Sequence, residues 1–120
     1  MAEHNELGAL GERLALEYLK EKGYEILETN WRSGQLEIDI IAKNKDFIIV
    51  AEVKTRSTNV FGEPEEFVNK QKQKLLIKAA EAYVIKMNLD TEVRFDIISV
   101  LVSKGKHQVN HIIDAFYARL

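Results

Sequence analysis

Residues 37–54 read EIDIIAKNKDFIIVAEVK, two apolar runs rich in β-branched residues that carry charge only at Glu37, Asp39, Glu52 and Lys54 and at the junction between them. Runs of this length and composition read as strands, and Lys43-Asn44-Lys45-Asp46 reads as the tight turn joining them. The segment is a β-hairpin with acids at positions where core residues belong. Side chains alternate along a strand, so Glu37, Asp39 and Ile41 are expected on one face of the first strand, and Ile48, Val50, Glu52 and Lys54 on one face of the second. With a two-residue loop these sets fall on the same face. In one register Glu52 opposes Glu37 and lies diagonal to Asp39; in the other it opposes Asp39 directly, and such neighbours lie roughly 5 to 8 Å apart.

Two carboxylates closing on a half-buried face repel, and buried charge normally neutralises or finds a cation. A divalent metal resolves the conflict. The donors are hard oxygens and the chain has no Cys, which favours magnesium or manganese over zinc or copper. Lys54, two residues beyond Glu52, is then placed to steady a nucleophile or developing negative charge. The bland reading is a satisfied ion-pair cluster, Lys54 with Glu52 and Lys43 with Asp39. Against it, Asp39 lies between Ile38 and Ile40 and Glu52 between Ala51 and Val53, in strands that look buried on both faces.

Outward from the hairpin, Leu7, Leu10, Leu14 and Tyr18 recur at helical spacing, so residues 6–22 form an amphipathic helix ended by Gly23. Glu12 falls at the edge of its apolar stripe, where it is either a solvated glutamate or an acid leaning toward a strand. Gly8 and Gly11 inside the helix imply close approach of a sheet or a ligand. Tyr24 to Asn30 is a strand, and Arg32-Ser33-Gly34 a turn. Thr55 to Pro64 is a polar loop predicted to move. A second helix runs from Phe67 or Val68 to Met87, strands follow at Val93 to Val102 and at Ile112-Ile113, and Asp114 to Leu120 closes the chain. The order predicts an α/β sandwich around a mixed sheet.

The 120 residues suit one domain, 1–120, with a single core. No apolar run approaches the ~20 residues of a membrane helix, so no membrane association is expected. An acidic, polar start and the absence of Cys make a cytoplasmic location the default. The net charge of −2 is not that of a dedicated nucleic-acid binder. Its distribution is uneven, however: Lys70, Lys72, Lys74 and Lys78 stand in a stretch without acids, either a solvated helix face or a phosphate track. The histidines lack zinc-ligand spacing, His107 and His111 being expected at a solvated turn and strand end, and no serine has a triad-like context. Trp31 is expected to pack rather than to stack on a base.

A helix glutamate, an Asp on one strand and Glu-x-Lys on the next, followed by a helix and a strand, resembles the core of restriction-endonuclease-like nucleases of the PD-(D/E)xK type. More closely, Gly11-Glu12-x-x-Ala15, Gly23-Tyr24, Asn30-x-Arg32, Glu37-Ile38-Asp39-Ile40-Ile41-Ala42, Glu52-Val53-Lys54-x-Arg56, Phe61-Gly62, Lys72 and Arg94-Phe95-Asp96 are similar to the YraN family of predicted endonucleases, uncharacterised protein family 0102. The resemblance implies a restriction-endonuclease-like αβββαβ core, its mixed central sheet flanked by helices. It also implies a magnesium- or manganese-dependent endonuclease that hydrolyses phosphodiester bonds in DNA, related to archaeal Holliday-junction resolvases. In that family reading Asp39 and Glu52 bind metal, Glu12 completes the shell directly or through water, and Lys54 assists the attacking water. Glu37 matches an acidic position of less certain role, and Arg32, Arg56 and Lys72 hold backbone phosphates. Branched or single-stranded DNA is the implied partner, and a homodimer suits symmetric cutting of two strands. One departure stands out: Leu36 precedes the Glu-Ile-Asp triplet where the family usually has Gly, which bears on the turn admitting substrate. Two alternatives remain, a non-catalytic nucleic-acid-binding module that retains the nuclease fold, and an interaction protein whose acids are structural.

Overall fold

The computed structural model describes residues 2–57 and 68–117, with side chains from residue 6 onward. Helix α1 (Ala2–Glu21) is followed by strands β1 (Glu25–Ser33), β2 (Leu36–Lys43) and β3 (Phe47–Ser57), helix α2 (Lys70–Lys86), and strands β4 (Glu92–Ser103) and β5 (Lys106–Phe116). They form a five-stranded sheet in the order β1-β2-β3-β4-β5. All neighbours are antiparallel except β3 and β4, which run parallel because α2 makes the crossover between them. The αβββαβ-type core expected from the sequence is present, extended by β5.

The helices cover opposite faces. Ala15 and Leu19 of α1 pack on Ile40, Ala42, Ile49, Ala51, Ile98 and Val100. Leu76, Ala79, Ala80 and Tyr83 of α2 pack on Ile38, Ile41, Ile48, Val50, Phe95 and Ile97. Strand β3 is central and covered on both sides, which explains its near-continuous apolar run. Trp31 joins the α2-side core edge-on to Tyr83, with ring centroids 5.2 Å apart.

The β2–β3 turn is Lys45-Asp46. The Asn44 side chain accepts from the amides of Asp46 and Phe47 at 2.9 and 2.8 Å, and the Asn44 amide donates to the Phe47 carbonyl at 3.1 Å. This sets Ile40 opposite Ala51 and Ile41 opposite Val50, so the next position puts Asp39 opposite Glu52, the second of the two registers open from sequence.

Element ends differ from expectation. Strand β1 runs through Arg32 and Ser33, and the turn is Gly34-Gln35. Strand β3 continues through Thr55, Arg56 and Ser57, which pair with Val100, Leu101 and Val102 of β4 instead of opening a loop. The rest of that expected loop, and Phe67 as a helix start, lie outside the described residues. Strand β5 is eleven residues long rather than a short Ile112-Ile113 segment, and Phe116, expected in the closing segment, is buried opposite Phe95. Lys104 and Gly105 both have positive φ, 47° and 78°, which makes the β4–β5 link a tight hairpin turn.

Gly11 is a sheet contact: a Cβ there would overlap the Thr55 side chain of β3, whereas one at Gly8 would meet nothing. Gly11→Ala is therefore expected to destabilise the fold by about 1–3 kcal/mol through overpacking. A second change, Thr55→Ala, should recover only part of that loss in urea denaturation, since it removes Oγ1 and Cγ2 but leaves the Thr55 Cβ 2.6 Å from the added methyl; an additive double mutant would show that the glycine matters for another reason.

Candidate active site

Strands β2 and β3 pair from Lys43 and Ile48 up to Ile40 and Ala51, whereas β1 keeps pairing with β2 as far as Leu36. The sheet thus forks at Asp39 and Glu52. At the fork the Val53 amide donates to Oδ2 of Asp39 at 2.9 Å, a carboxylate taking the place of a ladder carbonyl. Alternation also breaks there: Ile38 and Ile41 both join the α2-side core, while Ile40 joins the α1 side. Asn30, opposite Asp39, has φ of 50°. Glu37, like Asp39, lies close enough to Glu12 to raise its carboxyl. It is exposed and pairs with Arg32 at 3.6 Å.

Glu52 is buried, 5% exposed, at the heart of the fork. Burial first, and Asp39 second, push its carboxyl up to about 7; a hydrogen bond shared with Asp39 adds to this, while Lys72 and Lys54 pull the other way. The two lysines reach Oε2 of Glu52 at 3.5 Å from Lys72 and 3.7 Å from Lys54. Lys72, expected to hold a phosphate, therefore comes from the first turns of α2 straight to the carboxylate pair. Glu12 is half-buried on α1. Its carboxyl is also raised, by burial and then by Asp39, with Glu37 contributing and a hydrogen bond to Asn30 opposing. Asp39 is thus the shared neighbour of Glu12 and Glu52. Arg56 lies two residues beyond Lys54 on β3, half-buried.

Among the described residues no group of three or more His, Asp or Glu side chains is set to hold a metal ion as it stands. The donor chemistry nonetheless suits magnesium or manganese, which keep several waters and are commonly held by one or two carboxylates. Asp39 and Glu52 would supply two such donors, at a point where negative charge remains destabilised despite two lysines. Glu12, tied to Asn30 by a hydrogen bond and raised by Asp39, stands outside that pair.

The raised Glu52 carboxyl has a pH signature. A group whose folded value, about 7, exceeds its ordinary 4.5 contributes stability that is fully present below 4.5 and lost as pH rises through 7. The loss is on the order of 3 kcal/mol at 1.36 kcal/mol per unit. Urea denaturation in chelator at pH 5 and pH 8 is expected to show Glu52→Gln gaining on wild type by about that amount at the higher pH. An unchanged difference between the two proteins would mean that Glu52 ionises normally.

A second polar cluster was not foreseen. Asp96 of β4 is fully buried and accepts from Nε and an Nη of Arg94 at 2.9 and 2.8 Å, from the Asp114 amide at 3.0 Å, and from Nε2 of His111 at 2.7 Å. A carboxylate only accepts, so Nε2 carries a proton toward Asp96, and Nδ1 meets the Tyr18 hydroxyl at 3.2 Å. Arg94 also donates to the Tyr24 hydroxyl at 2.8 Å. Burial alone would raise the Asp96 carboxyl, but the bonds from His111, Arg94 and Asp114 outweigh it and hold it below the usual range. His111 is accordingly a buried partner and not a solvated strand end, while His107 is exposed. The signal was present in Arg94-Phe95-Asp96, an acid between two core residues, the same signature that singled out Asp39.

The model of the uncharacterised protein family UPF0102 matches residues 11–100, which includes the fork, both lysines and the Arg94–Asp96 pair. The chain belongs to UPF0102. Its similarity to UPF0102 proteins spans nearly the whole sequence: 51% identity over 117 residues with one from Flavobacterium psychrophilum and 54% over 117 residues with one from Christiangramia forsetii, each covering 98% of both chains. A UPF0102 protein of Bacteroides thetaiotaomicron is 48% identical over 120 residues, 100% of this chain and 99% of the relative. The family assignment agrees with the YraN-like motifs read from the sequence. No helix among the described residues of this UPF0102 chain is long and apolar enough to cross a membrane.

Proposed function

We propose that this UPF0102 chain is a metal-dependent endonuclease that hydrolyses phosphodiester bonds in DNA, with branched or Holliday-junction-like DNA as its substrate. The observation that carries the reading is the buried Glu52 carboxyl held against Asp39 at the fork, with Lys54 beside it. Carboxylates buried together at such a cost share a proton or take a cation, and these hard-oxygen donors suit a divalent ion.

Asp39 and Glu52 would hold magnesium or manganese, and Glu12 would orient water at its outer face. When bound, the ion supplies charge stabilisation for the phosphoryl oxygens and lowers the proton affinity of water. Lys54 positions the attacking water in line with the scissile bond and donates to a non-bridging oxygen. With Glu52 engaged by a cation, Lys72 would be released to hold a phosphate. Arg32 and Arg56 flank the fork and hold the strand by its phosphates without reading bases.

A second reading, a non-catalytic nucleic-acid-binding module, is favoured by one observation: both Lys54 and Lys72 already supply Glu52 with counter-charge. Cleavage of end-labelled four-way junction, flap, single-stranded and duplex DNA with magnesium or manganese separates the two. Metal-dependent cutting supports the nuclease; binding without cutting supports the module.

A further inference from the structure

Four non-glycine residues among those described hold positive φ, and two of them, Asn88 and Lys104, stand in turns, where such backbone is ordinary. Asn30 and Asp114 stand inside strands, where a side chain makes it unfavourable. Asp114 serves a buried group: its amide meets the Asp96 carboxylate at 3.0 Å, beside the register shift of the β4–β5 ladder. Asn30 is exposed, and its reason lies elsewhere.

The Asn30 backbone makes a change of face. Thr29 pairs with Ile40, on the α1 side of the sheet, and Trp31 pairs with Ile38, on the α2 side. Cross-strand partners share a face, so β1 turns over at Asn30 just as β2 turns over at Asp39, on the same rung. Glycine would make that turn at less steric cost. Asparagine stands there instead, and its side chain hydrogen-bonds Glu12 of α1. A carboxylate only accepts, so the Asn30 carboxamide donates.

Glu12 needs such a partner to stay at the fork. It stands half-buried on α1, and Asp39 and Glu37 both repel its charge while burial also disfavours it. A flexible glutamate under that pressure turns to water unless a donor holds it. The bond from Asn30 works against all three. Strained backbone kept at an exposed position, with its side chain spent on an acid of the candidate site, points to a role in that site.

We propose that Asn30 is a positioning residue: its left-handed backbone aims the carboxamide at Glu12 and holds that carboxylate beside Asp39. The inference rests on the metal-dependent reading of the fork and adds to it a residue that acts through Glu12. Asparagine meets both demands, since it tolerates left-handed backbone and carries a short side-chain N–H donor. Glycine would keep the backbone and lose the donor. Alanine would lose the donor and strain the backbone.

Manganese binding by isothermal titration calorimetry, without DNA, tests this in wild type, Asn30→Gly, Asn30→Ala and Glu12→Ala. Asn30→Gly should weaken manganese about tenfold, the lower end of the cost of removing the group that orients a metal-site side chain. It should melt as high as wild type in chelator. Asn30→Ala should show the same loss of affinity and melt lower, because only alanine strains the backbone. Glu12→Ala should also weaken manganese, and adding Asn30→Gly to it should change the affinity by less than about twofold, since the asparagine acts through the glutamate. Wild-type affinity in Asn30→Gly, or the same loss whether or not Glu12 is present, would overturn the inference and leave metal binding at the fork standing. A wild type that binds no manganese would overturn both.

Discussion

Asp96→Asn should unfold this protein more readily than any other single change considered, by about 3–5 kcal/mol, the range for removing one partner of a buried ion pair. The carboxylate is completely buried and satisfies two guanidinium N–H groups, the His111 ring and the Asp114 amide. An amide at that place leaves the Arg94 guanidinium without its counter-charge. Arg94 is held firmly protonated, first by its hydrogen bond to Asp96, so it cannot escape the cost by losing its proton. It must stay charged in a half-buried place or break the packing of Tyr24 and Phe47 around it. Urea denaturation at neutral pH measures the effect, and a loss below ~1 kcal/mol would show that the cluster is open to solvent. The pH dependence follows the same sign. A carboxyl depressed in the folded state contributes stability above its unfolded value and loses it as pH falls through the folded one. This contribution is therefore intact at neutral pH and fails only in acid, below the ordinary 3.8 of an aspartate. Tyr18 links the cluster to α1, the helix that carries Glu12, so the same network anchors one wall of the candidate site.

Asp39→Asn and Lys54→Ala are expected to lower metal-dependent cleavage by at least ~10²-fold each, the usual cost of one charge-stabilising group in a reacting centre. The two should differ in what else they change. On the proposed reading Asp39→Asn would remove a metal donor and relieve the repulsion on Glu52, so it should melt as high as wild type in chelator and lack the upward shift expected of wild type in magnesium. It keeps an oxygen to accept from the Val53 amide, which guards the fork against collapse. Lys54→Ala leaves the carboxylates in place, so it should keep the metal-linked shift and lose only the cutting. If the acids were merely structural, Asp39→Asn would be destabilised and magnesium would shift neither protein.

The fork was legible because the acids interrupt runs that packing requires to be apolar, and because two-residue hairpin parity forces Asp39 and Glu52 together. Both registers brought the charges to one face, and the Asn44 turn selected the one opposing Asp39 to Glu52. The pairing of Glu37 with Arg32 was not legible, because it depends on β1 running on through Arg32 where a turn was expected. Lys72 was expected at phosphate, and only the crossing of α2 over β3 reveals that it meets Glu52 first. Strand β5 was read too short because it is a sheet edge. Lys106, His107 and Gln108 face water there, which is how edges avoid further pairing but leaves little apolar pattern to read. The Asp96 cluster was hidden by distance along the chain: its partners come from α1, from the turn after it and from β5, and only the folded sheet collects them.

The most direct test of the account is cleavage of labelled four-way junction, flap, single-stranded and duplex DNA by wild type and Asp39→Asn, in magnesium, in manganese and in chelator. The account predicts cutting by wild type that requires the metal, favours branched substrates, and disappears in Asp39→Asn. Cutting that persists in chelator or in Asp39→Asn, or no cutting of any of these DNAs by wild type, would contradict it.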